Sequence, residues 1–371
     1  MSEGLDGPRA VRMNEMPSLM RLVDAVFMNG EPGMMAGLFP YFFSLDNMEN
    51  LFVMVRGRRV AAHAGLALCW ADVSGCHLRV AMLGSVATAP PFRGQGMATA
   101  VVNAALARAR AAGADLLMIS GDRSLYRRIG ARPAGCEAET VLTPEITGRL
   151  RRGGVALLPA RTTDLPLCAA AYETTPAHFL RSMSWWRNQI RVRAAARGKR
   201  MFHCAWDDNG FAGYAGVDKG RGGRPGLVME FGGDPAALCG TLDTVLRKSG
   251  GAGLTLRLAP HQALLRQRLE HAGAEFRPAP VDGTQMVVDF TRIMSRLTPL
   301  IARRAGEEAA RAMEVRESEE VCALRLLGEL ATFSRPDAAG LLFGGPEPVA
   351  MPRAWRRVFP LPALSYGLNY V

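Results

Sequence analysis

The chain has 371 residues, more than one typical domain, and its 49% hydrophobic and 21% charged content is that of a globular protein rather than a disordered or fibrous one. No run of about 18 apolar residues occurs, so no membrane partner is expected, and the first residues, with Glu3 and Asp6 and no apolar core, do not read as a secretory signal. The net charge of +11 is nearly all arginine, with lysine only at Lys199, Lys219 and Lys248, and no basic run carries interleaved aromatics, so nucleic-acid binding has little support.

Seven cysteines (Cys69, Cys76, Cys136, Cys168, Cys204, Cys239 and Cys322) are scattered without a C-x-x-C pair. That spacing argues against a zinc site and against a disulfide framework, so the expectation is a cytoplasmic protein with reduced thiols and no metal.

Helical spacing of apolar residues predicts a first helix over 16–28. An aromatic cluster follows (Phe39, Tyr41, Phe42, Phe43), either core or the wall of a pocket, and then two apolar runs, 51–55 and 60–68, joined by a turn at Gly57. His63 lies on the second run and reads as a core histidine more readily than as a base. A strand is expected over about 77–88, a helix over about 96–112 stopped by Gly113, a buried strand at 115–120, and a short helix ending at Gly130. From 155 the alternation of strand and helix begins again, with a hairpin turning at Asp208-Asn209-Gly210. A third segment from about 286 reads as a strand and helix, a further helical stretch at 321–333 and a proline-rich apolar end. The class is therefore α/β with mixed sheets.

The stretch Arg93-Gly94-Gln95-Gly96-Met97-Ala98 interrupts this pattern where a strand hands over to a helix. Glycine weakens a helix by roughly 1 kcal/mol relative to alanine, so two of them here want a reason, and close approach of a ligand to the backbone supplies one. The first N–H groups of a helix lack partners and carry the positive end of its dipole, a natural place for phosphate. A P-loop would need a lysine after Gly96, and a dinucleotide fold would need glycine at Thr99; neither fits.

The stretch does fit the [RQ]-x-x-G-x-[GA] element of the GNAT acyltransferases, and "GSVATAPPFRGQG", "DLLMIS" and "SLYRRIGARP" resemble that superfamily's strand 4 with its bulge and loop, strand 5 and Y-x-x-x-G element. The order of segments, with "ISGDRSLYRRIG" and the end "FPLPALSYGLNYV", resembles most the enhanced-intracellular-survival (Eis-like) group. The resemblance implies tandem GNAT-like domains and a small sterol-carrier-protein-like α+β domain: a catalytic domain at 1–150, a second half lacking the CoA element at 151–285, and a C-terminal domain at 286–371. It implies acetyl-CoA as co-substrate, a primary amine as acceptor, and a homo-oligomer with a hexamer the leading form.

It also implies roles for particular residues. Ser85, Val86 and Ala87 would offer backbone groups to the pantetheine and the acetyl carbonyl. Arg93, Gly94, Gly96, Ala98 and Thr99 would surround the pyrophosphate. Tyr126 would be the general acid that protonates the departing thiolate, a transfer uphill by only ~2 kcal/mol because a thiol titrates near ~8.5 and a phenol near ~10. The main-chain carboxylate of Val371 would take part in deprotonating the acceptor. Two rival functions are a non-catalytic acyl-CoA-binding module and a tandem-GNAT aminoacyl transferase using charged tRNA.

Overall fold

The computed structural model describes residues 4–151, 153–220 and 222–370. The chain opens with β1 (Leu5–Ala10), which none of the expected elements included. Its Gly7-Pro8 pair reads as turn chemistry, yet Gly7, at φ +116, lies so close to β2 (Leu51–Arg56) that a Cβ would sit 2.4 Å from the Val53 carbonyl. The strand therefore depends on having no side chain there. Within this opening stretch α1 (Met16–Phe27) and α2 (Met34–Leu38) also form, and then β3 (Arg59–Val73), β4 (Cys76–Thr88), α3 (Met97–Ala111), β5 (Leu116–Ile119) and α4 (Ser124–Arg128).

The middle of the chain forms β6 (Cys136–Leu142), α5 (Pro144–Leu150), β7 (Ala156–Pro159), α6 (Leu165–Glu173), β8 (Ala177–Phe179) and α7 (Met183–Ala195). It continues through β9 (Arg200–Asp207), β10 (Gly210–Asp218), β11 (Gly226–Gly233), α8 (Pro235–Lys248), β12 (Leu254–Leu258), α9 (Ala263–His271) and β13 (Arg277–Pro280). The last part holds β14 (Thr284–Val287), α10 (Phe290–Ala305), α11 (Glu307–Arg311), β15 (Glu314–Glu317), β16 (Val321–Leu326), β17 (Glu329–Ser334) and α12 (Ala338–Phe343).

Contacts divide the chain into two units: residues up to Ala134 together with Asp282–Ala363, and Gly135–Val281 together with Leu364–Tyr370. In the first unit a sheet runs in the order β1-β2-β3-β4-β5-β14, with β4 and β5 parallel and the other neighbours antiparallel. Helix α3 packs on it through Val101, Val102 and Ala105 against Ala62, Ala64 and Leu83, all buried. In the second unit the order is β13-β6-β12-β11-β10-β9-β7, with β11 and β12 parallel. One core in this unit brings α8 and α9 together with the sheet, and another α6 and α7.

These units differ from the expected boundaries at 150/151 and 285/286. Strand β6 belongs to the second sheet because it pairs with β12 and β13 on its two edges. Strand β14 belongs to the first because it pairs antiparallel with β5. By contacts the residues from 286 to Ala363 cluster with the first unit, and within them β15, β16 and β17 form a sheet of their own. The helix expected at 321–333 is instead the β16–β17 hairpin. Cys322, Leu324 and Leu326 are buried at alternate positions, and Leu327-Gly328 turns with both φ angles positive (54° and 80°), as a two-residue hairpin loop needs.

One buried acid ties the first unit's late segment to its sheet. Asp115, fully buried, accepts from the Arg79 amide at 2.7 Å and from Arg292 Nε at 2.8 Å, and Arg296 lies 2.7 Å from its other oxygen. Both arginines stand on α10. Removing this carboxylate ends two partly exposed ion pairs and leaves the Arg79 amide without its acceptor, a loss of about 1–3 kcal/mol. Asp115→Ala should therefore lower the urea midpoint of the purified chain sharply, and Asp115→Asn, which keeps an acceptor for the Arg79 amide, should lower it less. Equal midpoints for wild type and Asp115→Ala would mean that α10 is held by apolar packing alone.

Candidate functional site

Strand β4 outruns its parallel neighbour. Paired residues run from Val80–Leu116 to Leu83–Ile119, after which the Ser120 amide reaches back to the Leu83 carbonyl at 3.4 Å. The rest of β4 stays paired with β3 on its other edge. There the register shifts between His63–Ala87 and Gly65–Gly84, so that Ser85 and Val86 stand opposite Ala64 alone. This is a bulge, and Ser85 takes a left-handed backbone at φ +56 within it. Its hydroxyl is buried and, among the described residues, has no hydrogen-bond partner. A buried polar atom without a partner is costly in a finished core and reasonable in a site that a ligand completes.

The loop after β4 folds as its glycines demand. A short 3-10 turn at Pro90–Phe92 leads to Arg93, in extended conformation, then Gly94 at φ +77 and Gly96 at φ +74. Gly96 is the N-cap of α3, and no side chain caps the helix. The first bond of α3 runs from the Ala100 amide to the Gly96 carbonyl at 3.1 Å, so the amides of Met97, Ala98 and Thr99 precede the helical ladder. A Cβ built on Gly94 or Gly96 would meet nothing within 4 Å. The loop thus combines unsatisfied amides, the positive end of a 15-residue helix and open space in front of both. These are the properties that a pyrophosphate needs.

Arg93 adds charge. Its Nε donates to the Thr88 carbonyl at 3.3 Å, and its side chain borders an open cavity of about 720 Å³ together with Arg21, Arg56, Arg58 and Arg59. Among the described residues no acidic one lines that cavity, so part of the chain's positive charge is concentrated beside the glycine loop. Nothing in the scattered arginines of the sequence signals this convergence, which needs α1 and the β2–β3 turn brought together.

Tyr126 lies on α4, a few residues beyond the end of β5. It is buried with Met97 and Val101 in the core under α3, and its ring lies 3.3 Å from where a Cβ on Gly121 would be. The bulged strand, the glycine loop and Tyr126 therefore gather at the carboxyl ends of β4 and β5, the usual place for a ligand in such sheets. Val371 lies outside the described residues.

Of the aromatic cluster, Phe42 and Phe43 are core and Tyr41 is exposed. His63 is fully buried, with Nδ1 3.0 Å from the Phe52 carbonyl and no hydrogen-bond partner for Nε2 among the described residues. Burial pulls its pKa down to about 4, against the weaker opposing pull of the Phe52 carbonyl, so it is neutral at pH 7. All seven cysteines are free, and among the described residues no group of three or more His, Cys, Asp or Glu side chains could hold a metal. No helix among them is long and apolar enough to cross a membrane.

Comparison with known proteins bears on what this arrangement does. Residues 8–134 match the family model described as an acetyltransferase (GNAT) domain. No curated protein matches the sequence significantly. Among solved structures, a GCN5-related N-acetyltransferase from Anabaena variabilis ATCC 29413 is similar over 99% of this chain and 96% of its own, at 15% identity and a TM-score of 0.62. Eis1 from Mycobacterium abscessus is similar over 96% and 97% of the two chains, at 16% identity and a TM-score of 0.60. A protein from Enterococcus faecalis V583 described as a probable N-acyltransferase is similar over 92% and 87%, at 14% identity and a TM-score of 0.62. At these identities the structural likeness is one of fold, and the domain match carries the chemistry. Residues 8–134 are therefore an acetyltransferase (GNAT) domain, of the kind that draws on acetyl-CoA, within a chain whose whole fold is like that of Eis1.

Proposed function

We propose that the chain is an N-acetyltransferase that moves an acetyl group from acetyl-CoA to a primary amine of a small molecule or protein, by direct attack in a ternary complex. The observation that carries this reading is the uncapped N-terminus of α3 beside the parted end of β4. Arg93, Gly94, Gly96, Ala98 and Thr99 hold the pyrophosphate, largely through main-chain amides. Ser85, Val86 and Ala87, past the last rung shared with β5, hold the pantetheine and the acetyl carbonyl. The co-substrate supplies an activated thioester.

In the transfer the neutral amine nitrogen bonds to the acetyl carbon and the carbon–sulfur bond breaks. Tyr126 gives its hydroxyl proton to the departing thiolate. The proton lost by the amine goes to a base, which the family resemblance assigns to the main-chain carboxylate of Val371. Holding both reactants at contact distance supplies most of the acceleration, so no covalent intermediate on the protein is needed.

The reading includes one acetyl-CoA site per chain. In the second unit the helix that follows the parallel strand, α8, opens on Asp234, whose carboxylate accepts from the Ala236 and Ala237 amides at 2.9 and 2.8 Å. Those amides are already satisfied, and a carboxylate there repels phosphate. This supports a second GNAT-like half with no CoA site. A cytoplasmic homo-oligomer, with a hexamer the leading form, accompanies the reading by resemblance.

The direct test is release of free thiol from acetyl-CoA across a panel of primary amines. Amine-dependent release is expected. Binding of acetyl-CoA without release would leave an acyl-CoA-binding module, and activity only with charged tRNA would leave an aminoacyl transferase. Tyr126→Phe should keep the Kd for acetyl-CoA and lower kcat by about 10²-fold, the low end for general acid catalysis, because a thiolate is a tolerable leaving group. An unchanged kcat would reduce Tyr126 to packing. Appending one glycine after Val371 keeps every side chain but moves the carboxylate, and it should lower kcat while leaving acetyl-CoA affinity as it was.

A further inference from the structure

The second unit encloses an ion pair that the proposed chemistry does not use. Arg181, between β8 and α7, has a side chain only 1% exposed and meets Glu230 of β11 with both terminal nitrogens, at 2.7 and 2.6 Å. The rings of Tyr172, Trp185 and Trp186 surround its guanidinium, with centroids 3.6, 4.0 and 4.9 Å away. The Tyr214 hydroxyl donates to the same carboxylate at 2.7 Å. Charges buried so deeply are tolerable only when their remaining donors and acceptors are met.

The chain's own C-terminal segment meets them. The Leu368 amide donates to Glu230 Oε2 at 3.1 Å, and Arg181 Nε donates to the Asn369 side-chain carbonyl at 2.7 Å. The Leu368 side chain sits over Gly216 of β10, the residue paired with Glu230, so closely that a Cβ there would lie 2.6 Å from Leu368 Cδ2.

The place matters. Strand β11 pairs with β12 only at Gly226 and Leu227, runs on to Gly233, and shifts its register against β10 between Gly216 and Val217. It therefore repeats the parting and the irregularity of β4, and here the chain itself covers the strand.

We propose that Arg181 and Glu230 are positioning residues that clamp Leu364–Tyr370, so that the second unit serves to hold the end of the chain. The effect on turnover rests on the assignment of the Val371 carboxylate as base; the clamp itself does not.

Two variants of the full chain test this. Gly216→Val adds a side chain whose nearest neighbours all belong to Leu368, and Asn369→Ala removes the acceptor for Arg181 Nε. Carboxypeptidase Y trimming, followed by intact mass, should proceed about tenfold faster or more in both, as expected for loss of contacts to a buried charged group. The Kd for acetyl-CoA should stay unchanged and kcat should fall by a similar factor. Wild-type trimming rates in both variants would overturn the clamp. Faster trimming with unchanged kcat would overturn the positioning role if the glycine-extended chain is impaired. Should the extended chain also acetylate normally, the Val371 assignment has failed and the positioning role fails with it, while the trimming result still stands for the clamp.

Discussion

A strand that continues after its neighbour stops is the constraint on which the first unit depends. β4 has 13 residues and β5 only four, and from the last shared rung the longer strand keeps a partner on one edge only. Backbone amides and carbonyls in a folded interior need partners, so a strand edge beside an uncapped helix and a buried Ser85 hydroxyl with no partner among the described residues is an incomplete structure. In the proposed function acetyl-CoA, which brings its own acceptors and donors, completes it. The left-handed backbone at Ser85 is strained for a residue with a side chain, and such strain persists where surrounding structure fixes it. Asp115 and α10 brace β4 and β5 where the two still pair.

The second unit answers the same geometry in the opposite way. Its parallel strands part even earlier, yet here groups from within the unit fill the corresponding places. Asp234 takes the amides that Gly96 leaves free, and Leu368 and Asn369 join the Arg181–Glu230 pair beside β11. One architecture thus serves both halves, and the difference between an open site and a filled one comes down to a few residues. In the proposed function, a glycine where a carboxylate would cap the helix makes the anion site, and a carboxylate in its place removes it.

Much of the first unit was legible in the sequence because its signals are local. The glycine pair announces a helix start without a cap, and α1, β4, α3 and β5 fall within a residue or two of the expected spans. What stayed hidden depends on distant partners. β1 is disguised by Gly7-Pro8, whose fit against Val53 only the sheet reveals. The 321–333 stretch mixes alanine and leucine at spacings that suit a helix, and the turn at Leu327-Gly328 decides for a hairpin. The exchange of β6 and β14 between the sheets requires pairing across more than a hundred residues, which no local pattern encodes. Arg181 and Glu230 stand 49 residues apart and look like ordinary surface charges until the aromatic rings close around them.

Titration calorimetry of acetyl-CoA with the wild-type chain and with Gly96→Val tests the central claim most directly. At φ +74 a β-branched residue is strained, and its side chain would project into the open space before the α3 amides. One site per chain in the wild type, abolished in a Gly96→Val chain that circular dichroism shows to be folded, is the predicted result. Two equal sites per chain, no binding at all, or undiminished binding by Gly96→Val would contradict it.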